Sequence, residues 1–225
     1  MIPTRERIIA ATNELFRRQG YNGTSLKQIT AASEAPIGSI YHFFPGGKDD
    51  LAAVVIESSG AAYQQLFEMI AVAANGPAAM ISDLFNGAAQ VLQETGFIDP
   101  CPIGTVAREV ASTNETLRAA TERVFDSWIA AAASHFVAAG LPRRRASELA
   151  TTVIAAIEGG FMLARAGQDA DLLRAIGRSV RRMVEAEIAT VGRKPAPPVT
   201  DPSVLARRHR GKAASPPRRT PGGLD

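Results

Sequence analysis

The sequence predicts an all-α fold in which three short helices precede a larger helical domain. Apolar residues recur at helical spacing from Thr4 to about Val191, and no segment shows the alternating pattern of a β-strand. Glycine and proline, which end helices, interrupt this pattern repeatedly, for example at Gly20 and at 140–142. Between such breaks we expect three short helices within residues 4–44 and about six longer ones within residues 48–191.

Length and composition exclude several classes of protein. The 225 residues are 46% hydrophobic and 21% charged, which is typical of a globular protein. The longest purely apolar stretches, such as 128–133, are much shorter than the roughly 20 residues of a membrane span. Charged residues at 5–7 stand where a signal peptide would need apolar ones. We therefore expect a cytoplasmic protein that has no contact with a membrane.

Positive charge is concentrated at the C-terminal end of the chain. The net charge is +1 over residues 1–50, −4 over 51–192 and +6 over 193–225. The last segment is rich in Pro and Arg and has almost no large apolar residues, so we expect a flexible basic tail over 193–225. Its arginine clusters at 207–210 and 218–219 either contact DNA without sequence preference or remain solvated without a role.

The N-terminal part contains two short helices separated by a turn. Ser25 and Gln28 have the spacing of a capping box, and Pro36 suits the first position of the next helix. Ile40 and Phe44 direct one face of that second helix inward, which leaves a polar and aromatic face outside. In a helix-turn-helix, such a second helix enters the DNA major groove. A helical hairpin with a solvated edge would show the same periodicity.

The outer face of the second helix carries side chains suited to DNA. Tyr41 and His42 can donate to phosphates or base edges, and Ile37 can pack on a thymine methyl group. Lys48 begins the following helix, where its ammonium and the free backbone N–H groups would form a phosphate clamp. The candidate DNA-binding residues are Thr24, Ser25, Lys27, Pro36, Ile37, Gly38, Ser39, Tyr41, His42 and Lys48.

This segment resembles the DNA-binding domain of the TetR family of bacterial transcriptional regulators. The family pattern is a Thr-capped second helix, a turn, Gly-Ser/Thr-aliphatic-Tyr-His-x-Phe and then Lys-Asp/Glu-x-Leu. The matching positions are Thr24, Gly38, Ser39, Ile40, Tyr41, His42, Phe44, Lys48, Asp49 and Leu51. Two residues depart from the pattern. Glu34 replaces the usual turn glycine, which tolerates a left-handed backbone better, and Ile37 stands where Lys or Arg is common.

Further segments resemble the LmrA/YxaF-like branch of that family. They are residues 97–109, with a Cys-Pro pair, the turn at 45–48 and the run at 158–160. The resemblance implies a DNA-binding domain over 1–47 and an effector-binding and dimerisation domain over 48–192. It also implies a regulator that represses genes until a small molecule binds.

Large apolar side chains around the middle of the second domain are the candidate ligand-binding residues. Few polar groups accompany them, which is the usual composition of a ligand pocket, although aromatic residues on helices are also ordinary core. We expect an apolar or aromatic effector. The candidates are Phe97, Cys101, Phe125, Trp128, Phe161 and Met162. Glu109 and Glu158 lie in otherwise apolar helices. Each is either a buried hydrogen-bonding group, a helix cap or an exposed residue.

The last two helices, at about 143–166 and 169–191, are the dimer surface that the resemblance implies. Small residues at 155–156 and 159–160 permit close helix approach. An apolar stripe on the last helix either pairs with a second copy, as in a four-helix bundle, or belongs to the internal core. The stripe consists of Leu172, Ile176, Val180 and Met183.

No residues show the pattern of a catalytic, metal or cofactor site. Residues 46–48 lack the glycine spacing, the following Ser/Thr and the preceding strand of a phosphate-binding loop. Cys101 is the only cysteine, and no histidine is placed as its partner, which favours packing over a role as nucleophile or redox sensor. We expect a protein that is not an enzyme.

The expected function is therefore a ligand-responsive repressor. It would bind a palindromic operator in double-stranded DNA as a homodimer and be released by a small apolar molecule. Two alternatives remain open: an activator of the same fold, and a small-molecule-binding module without specific DNA binding.

Overall fold

The computed structural model describes residues 2–98 and 101–191, and within these ranges the regular structure is entirely α-helical. The nine described helices are α1 (Thr4–Gln19), α2 (Leu26–Ser33), α3 (Ile37–Phe43), α4 (Lys48–Ala73), α5 (Pro77–Glu94), α6 (Pro102–Val110), α7 (Glu115–Ala138), α8 (Arg143–Gly167) and α9 (Asp171–Ala189). The predicted all-α class is confirmed, with three short helices before α4. The tail predicted over 193–225, including its arginine clusters, lies outside the described residues.

Most helix ends lie where the sequence predicts them. Gly20 and Gly140 follow α1 and α7 with φ values of 75° and 101°, in a region of backbone conformation that favours glycine. The boundary between α6 and α7 has neither glycine nor proline and was not predicted. There Asn114 caps α7, because its side-chain oxygen accepts a hydrogen bond from the Leu117 N–H at 3.1 Å.

The predicted capping box at the start of α2 is present. The Ser25 hydroxyl accepts from the Gln28 N–H at 3.3 Å, and the Gln28 side chain accepts from the Ser25 N–H at 2.8 Å. The turn consists of residues 34–36, and Glu34 adopts a left-handed conformation with φ of 50°. Pro36 is the N-cap of α3 rather than its first residue, a shift of one position.

Two apolar cores hold the helices together. The first joins α1–α3 to the beginning of α4, to α6 and to the beginning of α7, with Phe16, Ile40, Leu51 and Ile103 at its centre. The helix-turn-helix segment is therefore packed directly on helices that follow it in the sequence. The second core joins α5, the end of α7, α8 and α9.

The apolar stripe on α9 belongs mainly to the second core. Val180 is 5% exposed, and the partly buried Ile176 and Met183 pack against the buried residues of this core. Gly177 lies so close to Phe85 that a Cβ atom there would overlap the Phe85 side chain. Helix α5 covers most of the stripe. Of the two alternatives for the stripe, the internal core therefore applies to most of its residues. Leu172, which is 38% exposed, remains at the surface.

Helix α8 leaves apolar residues exposed. By length and composition alone it could cross a membrane, but core helices of other proteins pass the same test, and its residues at 149–150, 153, 157 and 164 are buried in the second core. On its outer face, Met162 and Leu163 are 52% and 54% exposed. Ala155 is also exposed, and a Cβ added at Gly159 would meet no atom within 4 Å.

Candidate DNA-binding face and ligand cavity

Helix α3 presents the outer face that the sequence predicts. Ile40 and the following Phe44 are 0% and 2% exposed and anchor the helix in the first core. On the other side, Ile37 is 49% exposed and Tyr41 is 52% exposed. Pro36, Gly38 and His42 are also exposed, and Ser39 is partly so. The seven-residue helix α3 therefore presents a polar and aromatic face that no other part of the described chain covers.

Tyr41 lies beside the start of α4. A Cβ atom on Gly47, the N-cap of α4, would be 3.3 Å from Cε1 of Tyr41. The first N–H groups of a helix have no acceptor within the helix and attract anions. The Tyr41 ring and the beginning of α4 thus lie side by side.

Gly38 is unobstructed. A Cβ atom added there would meet no other atom within 4 Å, and its φ lies outside the left-handed region. Neither packing nor backbone conformation in the free protein requires glycine at this exposed helical position. Close approach of another molecule to the α3 backbone would explain it.

Around α2, the candidate contacts differ in their availability. Thr24 is 1% exposed, and its hydroxyl donates to the Gly20 carbonyl at 2.7 Å, so it stabilises the turn and does not face DNA. The exposed Ser25 uses its hydroxyl in the capping box. Lys27 is exposed on α2 and remains placed for a phosphate.

Lys48 does not present its ammonium as the predicted clamp requires. Nζ donates to the Tyr21 carbonyl at 2.7 Å and lies 3.9 Å from the centre of the Tyr21 ring. Burial lowers the pKa of Lys48, against the opposing effect of Asp49 and Glu109. The side chain therefore fastens the loop after α1 to α4, and its ammonium is already engaged within the protein.

A polar junction joins the same loop to α6 and α7. The Tyr21 hydroxyl donates to Asp49, and the Asn114 side-chain amide donates to the other oxygen of Asp49 at 2.8 Å. The Asn22 N–H donates to Glu109 of α6 at 2.8 Å. Burial, together with Asp49, raises the pKa of Tyr21. Glu109 is thus a hydrogen-bonding group, one of the alternatives that the sequence left open for it.

A cavity of about 260 Å³ lies among α4, α5, α7 and α8. Its wall is almost entirely apolar, with the aromatic rings of Tyr63, Phe67, Trp128 and Phe161. The Trp128 indole N–H donates to the Gly60 carbonyl at 2.9 Å, and the Trp128 ring meets Tyr63 edge to face. These contacts fix the indole in the wall of the cavity.

Three of the six candidate ligand residues line this cavity, namely Cys101, Trp128 and Phe161. The other three do not. Phe97 follows α5 with φ of 62°, and its side chain packs on the second core. Phe125 is directed into the first core, and Met162 is 52% exposed on the outer face of α8. Met162 directly follows the lining residue Phe161 and is turned about 100° from it around α8. Phe125 contacts the lining residue Trp128 edge to face but does not line the cavity itself.

Helices α4 and α5 contribute cavity walls that the sequence did not predict. They include Tyr63, Phe67 and Ile70 of α4 and Leu84, Ala88 and Val91 of α5. Phe67 and Leu84 have the helical spacing of ordinary core residues, so no local signal separates them from core. Exposure of Val91 at 48% is visible only once the helices are assembled.

Glu158 and Cys101 form the polar end of the cavity. The Cys101 thiol interacts with the Glu158 carboxylate, and its sulfur accepts from the Gly104 N–H at 3.4 Å as the N-cap of α6. A Cβ atom at Gly104 would overlap the Glu158 carboxylate, so the carboxylate lies against the first turn of α6. Burial raises the pKa of Glu158, although Cys101 and Arg108 oppose it.

Burial also raises the pKa of the Cys101 thiol, as does the Glu158 charge. A thiol is nucleophilic as the thiolate, so this environment keeps Cys101 unreactive. Within residues 2–98 and 101–191, no group of three or more His, Cys, Asp or Glu side chains could hold a metal ion.

Family models match two segments of the chain. A family model of bacterial regulatory proteins of the tetR family matches residues 8–55. A model of the C-terminal domain of LmrA/YxaF-like transcriptional regulators matches residues 77–179.

Among curated relatives, the uncharacterised HTH-type transcriptional regulator YxaF of Bacillus subtilis is 34% identical over 181 residues, which cover 80% of this chain and 95% of YxaF. The HTH-type transcriptional regulator LmrA of the same organism is 34% identical over 160 residues, covering 71% of this chain and 85% of LmrA. The HTH-type transcriptional repressor NemR of Escherichia coli is 26% identical over 121 residues, 53% of this chain and 60% of NemR. The crystal structure of reduced NemR shares the fold with a TM-score of 0.70 at 22% identity, covering 80% and 95% of the two chains.

Proposed function

Because the chain belongs to the TetR family of bacterial transcriptional regulators and is not an enzyme, we propose that it is a cytoplasmic repressor that binds a palindromic operator as a homodimer. A small molecule with an apolar or aromatic body would enter the cavity and release the DNA. The relative NemR is named a repressor, and repression is carried over from it to this chain as part of the proposal.

The exposed outer face of α3 is the observation that carries this proposal. Tyr41 is 52% exposed with its ring beside the N-terminus of α4, and Gly38 offers an unobstructed backbone. Ser39 and His42 add groups that hydrogen-bond to phosphates or base edges. Two such helices in a symmetric dimer would enter successive major grooves about 34–36 Å apart.

The outer face of α8 supports dimerisation through the last two helices. One face of α8 is buried in the second core, and its other face is left uncovered in the single chain. Ala155 and Gly159 lie on this face beside Met162 and Leu163. Small residues let two helices approach closely, while the larger ones bury apolar area. The proposed interface is therefore centred on α8, with Leu172 of α9 at its edge.

Helix α4 is the proposed connection between cavity and DNA. It begins at Lys48, which is bonded to Tyr21, and its later residues Tyr63, Phe67 and Ile70 line the cavity. A ligand that moves these rings acts on the same helix that positions the DNA-binding surface. The ligand releases DNA only to the extent that it binds the DNA-incompetent state more tightly, typically by about 1–3 kcal/mol in allosteric proteins.

A second candidate is a small-molecule-binding module without specific DNA binding. The exposed Ile37 favours it, as does the sequence of α3, which has no Lys or Arg. An activator of the same fold shares every feature of the repressor and differs only in where its operator lies.

The test is a titration of the purified protein on DNA from upstream of its own gene. It is run at several salt concentrations with scrambled competitor DNA. Saturable binding that survives competitor supports a specific regulator. Binding that is weak, equal on scrambled DNA and lost with salt is the behaviour of nonspecific phosphate contacts and contradicts the proposal. Transcription from the bound promoter with and without the protein then separates repressor from activator.

A further inference from the structure

We propose that the cavity takes a lipophilic organic cation, an aromatic or alkyl body with one protonated amine, and that the Glu158 carboxylate receives the positive charge. This inference rests on the proposed function, since it names the chemistry of the effector. It assigns to Glu158 a ligand-binding role that the sequence did not predict.

The charge of the residues that line the cavity favours binding of a cation. Of the described residues that line it, none is Lys, Arg or His, and Glu158 is the single carboxylate. An anionic ligand would have to leave water without a partner and meet a carboxylate of the same sign. A cation would instead neutralise Glu158.

The aromatic rings of the wall favour the same ligand. Tyr63, Phe67, Trp128 and Phe161 surround the space that the ligand body would fill. The face of an aromatic ring attracts a cation, with Trp and Tyr the stronger partners. A neutral apolar ligand would gain only the burial of its surface.

The Glu158 carboxylate has acceptor positions left over. It interacts with the Cys101 thiol, a weak donor, and the absence of a side chain at Gly104 lets it lie against α6. An ionised carboxylate accepts about four hydrogen bonds, so one thiol leaves most of this capacity unused. Burial raises the pKa of Glu158, and the Cys101 thiol and the Arg108 charge offset this only in part, so the carboxylate lacks a strong partner in an apolar site. A ligand ammonium would supply that partner.

Three matched probes test the proposal by isothermal titration calorimetry on the full chain. They are 2-(1-naphthyl)ethylamine, 2-(1-naphthyl)ethanol and 1-naphthylacetate, which present one body with a cationic, a neutral and an anionic head. We expect the amine to bind about 10- to 100-fold more tightly than the alcohol, as for a hydrogen bond to a charged group. The acetate should bind most weakly.

Variants of Glu158 make the test specific. Glu158→Gln should bring the amine to the affinity of the alcohol and leave the alcohol unchanged. Glu158→Asp keeps the charge and should keep the preference for the amine, which separates a charge effect from a folding effect. Glu148→Gln is the matched control, since Glu148 is an exposed carboxylate on the same helix, paired with Arg144.

Equal affinity for amine and alcohol, tightest binding of the acetate, or an amine affinity that survives Glu158→Gln would each overturn the proposal. So would the absence of binding by all three probes. The DNA titration is measured separately. Loss of operator binding with the amine preference intact contradicts the proposed function alone, and operator binding without an amine preference contradicts this inference alone.

Discussion

Asn114, the N-cap of α7, donates a hydrogen bond from its side-chain amide to Asp49 in the first turn of α4, with 2.8 Å between nitrogen and oxygen. The two residues are 65 positions apart in the sequence. Asp49 also accepts from Tyr21 of the loop before α2. One carboxylate thus links the helix-turn-helix segment to the helices that surround the cavity.

Asn114→Asp should break this link and keep the α7 cap. An aspartate oxygen still accepts from the Leu117 N–H, but a second carboxylate now faces Asp49. We expect a loss of about 1–3 kcal/mol in the free energy of unfolding, measured by chemical denaturation. Combining it with Asp49→Asn restores a donor and an acceptor, and the double variant should recover most of the loss. Additive losses would exclude a direct interaction.

Tyr41→Phe should weaken binding to all DNA sequences. The hydroxyl is the group that would meet a phosphate, and a neutral hydrogen bond contributes about 0.5–1.5 kcal/mol, or about 2- to 13-fold in affinity. Fluorescence anisotropy on operator and scrambled DNA measures it. Ser179→Ala, which removes an exposed hydroxyl on α9 instead, is the control and should bind DNA as the wild type does. Unchanged affinity of Tyr41→Phe would remove this hydroxyl from the contacts.

Gly38→Ala should stabilise the free protein and weaken its binding to DNA. Alanine in a helix is favoured over glycine by about 0.5–1 kcal/mol, and a Cβ at position 38 meets no neighbour within 4 Å. If DNA approaches the α3 backbone, the added methyl group lies between them. Thermal unfolding and anisotropy give the two values. Stabilisation together with unimpaired DNA binding would show that α3 does not approach DNA at this residue.

Gly159→Glu should convert a dimer into monomers. A side chain at position 159 has room in the single chain, so the new charge would oppose only a second copy. Light scattering measures the mass. Ala130→Glu, the same charge at an exposed position of α7, should leave the dimer intact. A persistent Gly159→Glu dimer would contradict an interface on α8. Ile176→Glu is unsuitable, because Ile176 packs in the second core.

Cys101 should react slowly with thiol reagents in the native protein. Burial and Glu158 raise its pKa, so less thiolate is present near neutral pH than for a free cysteine, about tenfold less for each unit of increase. Rates with a disulfide reagent should rise with pH and increase sharply on denaturation. Native Cys101 that reacts as fast as the denatured protein would point to an accessible, activated thiol.

Local chemistry in the sequence was sufficient to predict the helix-turn-helix. The capping box of Ser25 and Gln28 involves atoms three residues apart, and the inward side of α3 follows from the spacing of Ile40 and Phe44. Such signals lie within one helix and do not depend on the rest of the fold.

Contacts between distant segments were not predictable in this way. Periodicity shows that Ile176 and Met183 face an apolar partner, but not that the partner is α5 rather than a second copy. For the same reason periodicity does not distinguish the exposed Met162 from the cavity residues Tyr63 and Phe67. The hydrogen bond of Lys48 to the Tyr21 carbonyl joins residues 27 positions apart, so no local pattern predicts that its ammonium is engaged.

The near absence of polar groups in the cavity wall limits how finely it can discriminate among the bodies of its ligands. In an apolar pocket, one methylene more or less changes the binding free energy by only about 1–3 kcal/mol. Methyl groups and ring faces exclude no particular skeleton, whereas a hydrogen-bonding wall would. The genes under such a regulator would therefore respond to a chemical class of compounds and not to one metabolite. The strength of the response would vary with the size and hydrophobicity of the compound.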